Sequence, residues 1–397
     1  WSKSKSYDLI RLNEENSAAF LYKNYILSRW ISVGLWLISL CLSFLIYRRK
    51  RKAKKWLRSF SLQASSICRK LLDVFWKNPL VLRNYLLLLV PIIGWQVRNY
   101  FYFPFFGDDL ASYVYFAQNG PLLTAIFYPI PNNHILYNIL SSITATFIED
   151  PLLSTRLISF ISFHLLILLL FLYLYLTFSN KWIAYLAVAI CGFFFTSSIY
   201  SVMGRGYMLF TLMTILAGIS LLRYIETRNM IMFFIMITSS ILGAYTIPTF
   251  LIPFLGLMTS LSIFSYLQRD KSLLKDGILC AALVGLGVLL LYLPTFLYSG
   301  IEAIVANKYV SADGRENFYT YAYPIAVAEV LSLMAGTNTK GWLILLIIGS
   351  LSIPLLSRKN YKARNWLILS LCIFAAIFLY TLISRSFMPL RVLTYAS

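Results

Sequence analysis

Ten apolar runs recur along this chain, most of them close to the ~20 residues a helix needs to cross a bilayer, and lysines and arginines gather between them. The runs cover 29–47, 80–98, 155–178, 182–199, 207–222, 230–246, 249–267, 277–298, 340–357 and 366–384. That rhythm predicts an all-α polytopic membrane protein of about 10 transmembrane helices. No β alternation, internal repeat or low-complexity tract competes with it.

Composition agrees. Of 397 residues, 59% are hydrophobic and 13% charged, against about 25% charged in ordinary soluble domains. A soluble fold of this size has too little interior to bury that much apolar surface. Aromatics reach 17%, which suits wide interfacial belts. The net charge of +20 at first suggests a nucleic-acid partner, but its distribution argues against one. The basic residues cluster beside the apolar runs, as at Arg48–Lys55 and Arg358–Lys362, where they mark cytoplasmic loops and contact anionic membrane lipid. Cys41, Cys68, Cys191, Cys280 and Cys372 form no CxxC pair and read as small buried hydrophobes. The chain begins at Trp1 without a Met and is expected to be a piece of a longer protein, truncated at its C-terminus.

The basic clusters side the loops. Loops 48–79, 223–229, 268–276 and 358–365 are expected in the cytoplasm. Counting from both ends agrees only if Ile135–Glu149 does not cross. That segment is short and carries Asn138, Ser141, Ser142, Thr144 and Thr146, so it is expected to lie in the outer interface. Residues 99–154 then form one long first external loop with amphipathic helices. Residues 1–79 read as an accessory region with one spanning helix and a basic cytoplasmic stretch. Residues 80–397 read as one transmembrane domain.

Polar residues in the external segments are few enough to weigh singly. Asp108 and Asp109 stand side by side just after an apolar helix. A helix N-cap explains one of them. Two adjacent carboxylates among aromatics favour a general base or a divalent-metal ligand pair. Asn132, Asn133 and His134 follow a Pro-stiffened turn. They are read either as caps of the next helix or as substrate contacts, His134 donating a proton or binding phosphate. His164, within a span, reads as a packed polar residue. Arg205 lies between Gly204 and Gly206 on the side where positive residues are disfavoured, and suits a phosphate. Its alternative is snorkelling to lipid headgroups. Arg385 and Arg391 fall on the same side. The chain holds no Walker loop, HExxH, GxSxG or Rossmann glycine pattern, which disfavours ATP-driven transport and serine or zinc hydrolysis.

Taken in order, these segments resemble the GT-C superfamily of membrane glycosyltransferases, in particular the branch of protein O-mannosyltransferases and lipid A aminoarabinose transferases. The resemblance spans about residues 80–395 and rests on Phe106–Tyr113, Pro131–Leu140, Thr155–Ser159 and Gly204–Tyr207. The chain departs from the family in having Asp-Asp where Asp-Glu is common, and in lacking the Pro-Pro after His. The resemblance implies transfer of a sugar from a polyprenyl-phosphate donor to a lipid, glycan or protein acceptor on the non-cytoplasmic face of a plasma or inner membrane. Asp108 would deprotonate the acceptor, with Asp109 orienting it or helping a metal. His134, Arg205, Tyr207 and Arg391 would hold the donor phosphate, while Tyr113, Asn132 and Asn133 line the substrate loop. No nucleotide is expected, and metal dependence stays open. A lipid-linked sugar flippase or transporter, and a non-catalytic scaffold, are the competing readings. A transporter would place charges deep within its spans, and here the span interiors hold almost none apart from His164.

Overall fold

The computed structural model describes residues 33, 37, 40, 50–104, 107–128, 133–305, 318–325, 327–329 and 361–385. Every regular element among them is helical. In chain order they are α1 (Lys50–Trp76), α2 (Pro79–Tyr102), α3 (Asp108–Tyr115), α4 (Pro121–Ile126), α5 (Ile135–Ala145), α6 (Pro151–Thr177), α7 (Trp182–Phe193), α8 (Phe195–Tyr200), α9 (Tyr207–Thr227), α10 (Met230–Thr246), α11 (Leu251–Gln268), α12 (Lys271–Ser299), α13 (Glu302–Val305) and α14 (Tyr361–Ser384). Short 3-10 turns stand at Ala117–Asn119 and Pro248–Phe250, and a π turn at Phe318–Ala322.

Six helical segments are long and apolar enough to cross a membrane: α2, α6, α9, Pro248–Gln268, α12 and α14. The polar punctuation between the runs explains their limits. Asp150 caps α6, accepting from the Leu153 N–H at 2.9 Å, with Pro151 in the first turn. Two helical hairpins are closed by the same device. Arg228 and Arg269 each adopt a left-handed conformation, with φ 53° in both, and end α9 and α11. The next residue, Asn229 or Asp270, then caps the following helix through its side chain.

The helix ends meet in two groups. At one end Arg228 pairs with Asp270, and with Asp276 at 3.3 Å, while Lys362 donates to the Thr177 carbonyl. Arg223 donates to the Thr177 hydroxyl beside it, so three of the loops expected to share a side meet here, and it is called the basic end. At the other end Arg156 reaches the Tyr100 carbonyl, Gly206 meets His134, and Thr295 donates to the Ala125 carbonyl. α9 is central: 72% of its most apolar stretch is buried within the protein, against 17% for α2 and 22% for α12 and α14. The outer helices turn Leu87, Val90, Ile278 and Leu289 outward, as a lipid solvent permits. Gly256 lets α11 meet the backbone of α14, because a Cβ there would stand 2.5 Å from the Ile373 Cα.

Three expectations need revision or fall elsewhere. The run at 182–199 is broken, because Phe194 is extended between α7 and α8. α5 does stay at one end, since His134 meets Gly206 and Thr144 donates to the Ser154 carbonyl. Its 11 residues rise only about 16 Å. It is not an interfacial helix with a wet polar face, however: Asn138, Ser141 and Ser142 are buried against the protein and Ile143 is exposed. Most of the run 29–47, all of 340–357, and the site candidates Asn132 and Arg391 lie outside the described residues.

Candidate functional site

At the end opposite the basic one, three separate segments bring charge together. The first is the start of α3. Gly107, at φ 60°, turns the chain where a side chain would be strained, and Asp108 and Asp109 follow as the first helical residues. The expected Asp N-cap is not formed. Gly107 occupies the cap position, leaving both carboxylates in the first turn, where the helix dipole favours them. Their surroundings then differ sharply.

Asp109 is 4% exposed. Its Oδ2 lies 3.4 Å from Nη2 of Arg156, which is itself 1% exposed. Burial pushes the Asp109 carboxyl above its ordinary value, against the Gly204 backbone N–H and the nearby Arg156 and Arg205 charges. Arg156 also donates to the carbonyls of Tyr100 at 2.7 Å, Phe103 at 3.0 Å and Pro104 at 3.2 Å. Those carbonyls belong to the end of α2 and its exit, where a helix runs out of N–H partners. One guanidinium therefore ties α2, α3 and α6 together.

Asp108, in contrast, has a 43% exposed side chain, with Oδ2 3.8 Å from Nη2 of Arg205. Arg205 is 2% exposed and lies in the turn between α8 and α9. Ser159 holds that turn, its hydroxyl lying 2.6 Å from the Met203 carbonyl and 3.0 Å from that of Arg205. The guanidinium donates to Ser112 Oγ at 3.0 Å and stands over the Tyr207 ring.

His134 supplies the third segment. The Gly206 backbone N–H donates to its Nδ1 at 2.9 Å, so that nitrogen carries no proton and a neutral ring carries its proton on Nε2. Nε2 lies 3.4 Å from Nη2 of Arg205. Two N–H donors thus converge on one volume, and an anionic oxygen between them would accept from both. Tyr128 lies close enough to Arg205 to feel its charge, and burial pushes its hydroxyl up, keeping it a neutral donor.

The remaining candidates divide. Tyr207 packs edge-on against His134. Tyr113 is half-buried on α3. Asn133 is taken up internally: its Nδ2 donates to the Thr124 and Phe127 carbonyls and its Oδ1 accepts from Asn138. It braces the loop before α5, whose cap residue is His134 rather than an Asn. Among the described residues no three His, Cys, Asp or Glu side chains gather in one place. The two carboxylates face different guanidiniums, Asp109 that of Arg156 and Asp108 that of Arg205. Sequence reasoning named Arg156 only as part of a resembling stretch. Its signal was an arginine at the very start of an otherwise apolar run.

The two glycines beside Arg205 are required by packing. A Cβ on Gly206 would stand 2.9 Å from both His134 Nδ1 and Thr246 Cγ2; one on Gly204 would meet Asp109 and Thr155 at 3.3 Å. Gly206→Ala is expected to cost about 1–3 kcal/mol of stability by overpacking. Gly285, inside α12 with an open Cβ position, serves as the control in thermal melts of the detergent-solubilised protein, where Gly285→Ala should leave stability unchanged or raise it by up to about 1 kcal/mol, since Ala suits a helix interior better than Gly.

No family model matches the chain, and neither a curated protein nor a solved structure matches it.

Proposed function

We propose that this chain is a membrane glycosyltransferase of the GT-C type, multi-pass in a plasma or inner membrane, with about ten spans. It moves a sugar from a polyprenyl-phosphate donor to a hydroxyl acceptor at the non-cytoplasmic rim. One observation carries the reading: buried Arg205 stands beside the accessible Asp108 carboxylate and the His134 ring, at the bundle end away from the basic loops. An anion seat next to a carboxylate is what transfer from a phosphate leaving group needs. The basic loops at the opposite end support reading this end as the non-cytoplasmic one.

The roles divide by exposure. Asp108 accepts the proton of the acceptor hydroxyl. The acceptor oxygen bonds to the anomeric carbon as the bond from that carbon to the phosphate oxygen breaks. The electron pair leaves with the polyprenyl phosphate, and Arg205 and the Nε2–H of His134 meet that charge. Asp109 is enclosed with Arg156 and holds the α2–α3 turn in place. Tyr207 and Ser112 fix the Arg205 guanidinium.

Membranes containing the chain, given a panel of labelled polyprenyl-phosphate sugars, should move label into an acceptor and release polyprenyl phosphate. Label that stays on every donor, with no excess over membranes lacking the chain, would contradict the reading.

A further inference from the structure

Outside the site, α1 is the element whose chemistry the proposed reaction leaves unused. It lies across the basic end. Phe60 packs edge-on against Phe234 of α10, and Phe75 stacks on Phe171 of α6 and tilts against Tyr85 of α2. Those two contacts are 15 residues apart, about 22 Å along the helix, so α1 runs over the helix ends rather than along one of them. Its packed stripe is Phe60, Ala64, Ile67, Leu71 and Val74, at helical spacing.

A second stripe faces away from the protein. Leu62 is 64% exposed, Leu72 68% and Trp76 87%, with Arg58 and Arg69 on the same side at 100° per residue. The α1 sequence holds eight Lys or Arg against one acid, Asp73, which is taken by Lys77 at 2.6 Å. Only Lys77 and Asn78 separate Trp76 from Pro79, where the spanning helix α2 begins. The C-terminal end of α1 is therefore held at the depth where a span enters the membrane, and Trp76 sits where indoles settle at an interface.

We infer that the outer face of α1 docks on the anionic phospholipid leaflet of the membrane the protein spans, with Leu62, Leu72 and Trp76 entering the headgroup boundary and Arg58 and Arg69 contacting lipid phosphates. A basic amphipathic helix with an apolar outer stripe gains from both burial and charge, so its docking depends on lipid charge. The inference does not depend on the proposed reaction.

Hydrogen exchange of the intact chain tests it, in nanodiscs holding one copy each, made of phosphatidylcholine alone or with a quarter phosphatidylglycerol. The amides of residues 58–76 should exchange about tenfold more slowly in the anionic discs, from the roughly additive attraction of each basic residue to such a surface. α9 should not change. In the double variant Arg58→Glu and Arg69→Glu, at exposed positions that leave the packed stripe intact, that slowing should vanish. Equal exchange of residues 58–76 in the two compositions would overturn the inference. So would slowing that persists in the double variant.

Discussion

Replacing Asp108 with Asn should abolish most of the transfer, about 10²–10⁴-fold in rate, while leaving the protein folded. The variant keeps the size and shape of the side chain and removes its capacity to take a proton. Asp108 is partly exposed, lies 3.8 Å from Arg205 and shares that guanidinium's field with Asp109, so losing its charge should cost less stability than Asp109→Asn does. Asp109→Asn should behave in the opposite way. It strips the buried Arg156 guanidinium of its only carboxylate partner among the described residues, so the loss falls first on stability. Transfer rates and melting temperatures measured on both variants separate the two aspartates. Equal transfer by Asp108→Asn and the parent would remove Asp108 from the reaction.

The largest stability effect is expected at Arg156. Arg156→Met fills similar space but leaves the carbonyls of Tyr100, Phe103 and Pro104 and the Asp109 carboxylate without their shared donor. Breaking a buried charged pair from one side costs about 3–5 kcal/mol. Arg228→Met is the comparison, since Arg228 also pairs with two acids, at the basic end, but its side chain is 35% exposed. Solvent screening limits its effect to about 1 kcal/mol. Denaturant titration in detergent reads both; losses of similar size would contradict the assigned role of Arg156.

Much of the bundle is legible in the sequence because lipid imposes length. The runs at 207–222 and 230–246 begin where α9 and α10 begin, and Asp150, Asn229 and Asp270 stand as caps where the polar breaks suggest them. Siding by basic residues also anticipated that loops around Arg228, Asp270 and Lys362 share an end. Less was legible where one residue decides. Nothing in the composition of 182–199 marks Phe194 as the break between α7 and α8. The serines of α5 suggest a wet face, yet α5 turns Ser141 and Ser142 inward, because small side chains let helices approach closely in a membrane bundle.

At the site, the sequence singled out Asp108, His134 and Arg205, and the fold gathers them. The residues alone do not separate Asp108 from Asp109, to which only the resemblance gives different roles, because their neighbours come from α6 and the α8–α9 turn, far away in the chain. Asn133 shows the same limit. An exposed-looking polar turn becomes an internal brace only once Thr124, Phe127 and Asn138 surround it.

The proposed seat for a donor phosphate at Arg205 is tested most directly by binding. Polyprenyl phosphate titrated into the solubilised chain should bind the parent and Arg228→Gln alike. Arg205→Gln should bind roughly 10- to 150-fold more weakly, the loss of a charge-assisted contact worth about 1.5–3 kcal/mol. Equal affinity for the parent and Arg205→Gln, or no binding by either, would contradict the assignment of this end of the bundle as the place where the phosphate sits.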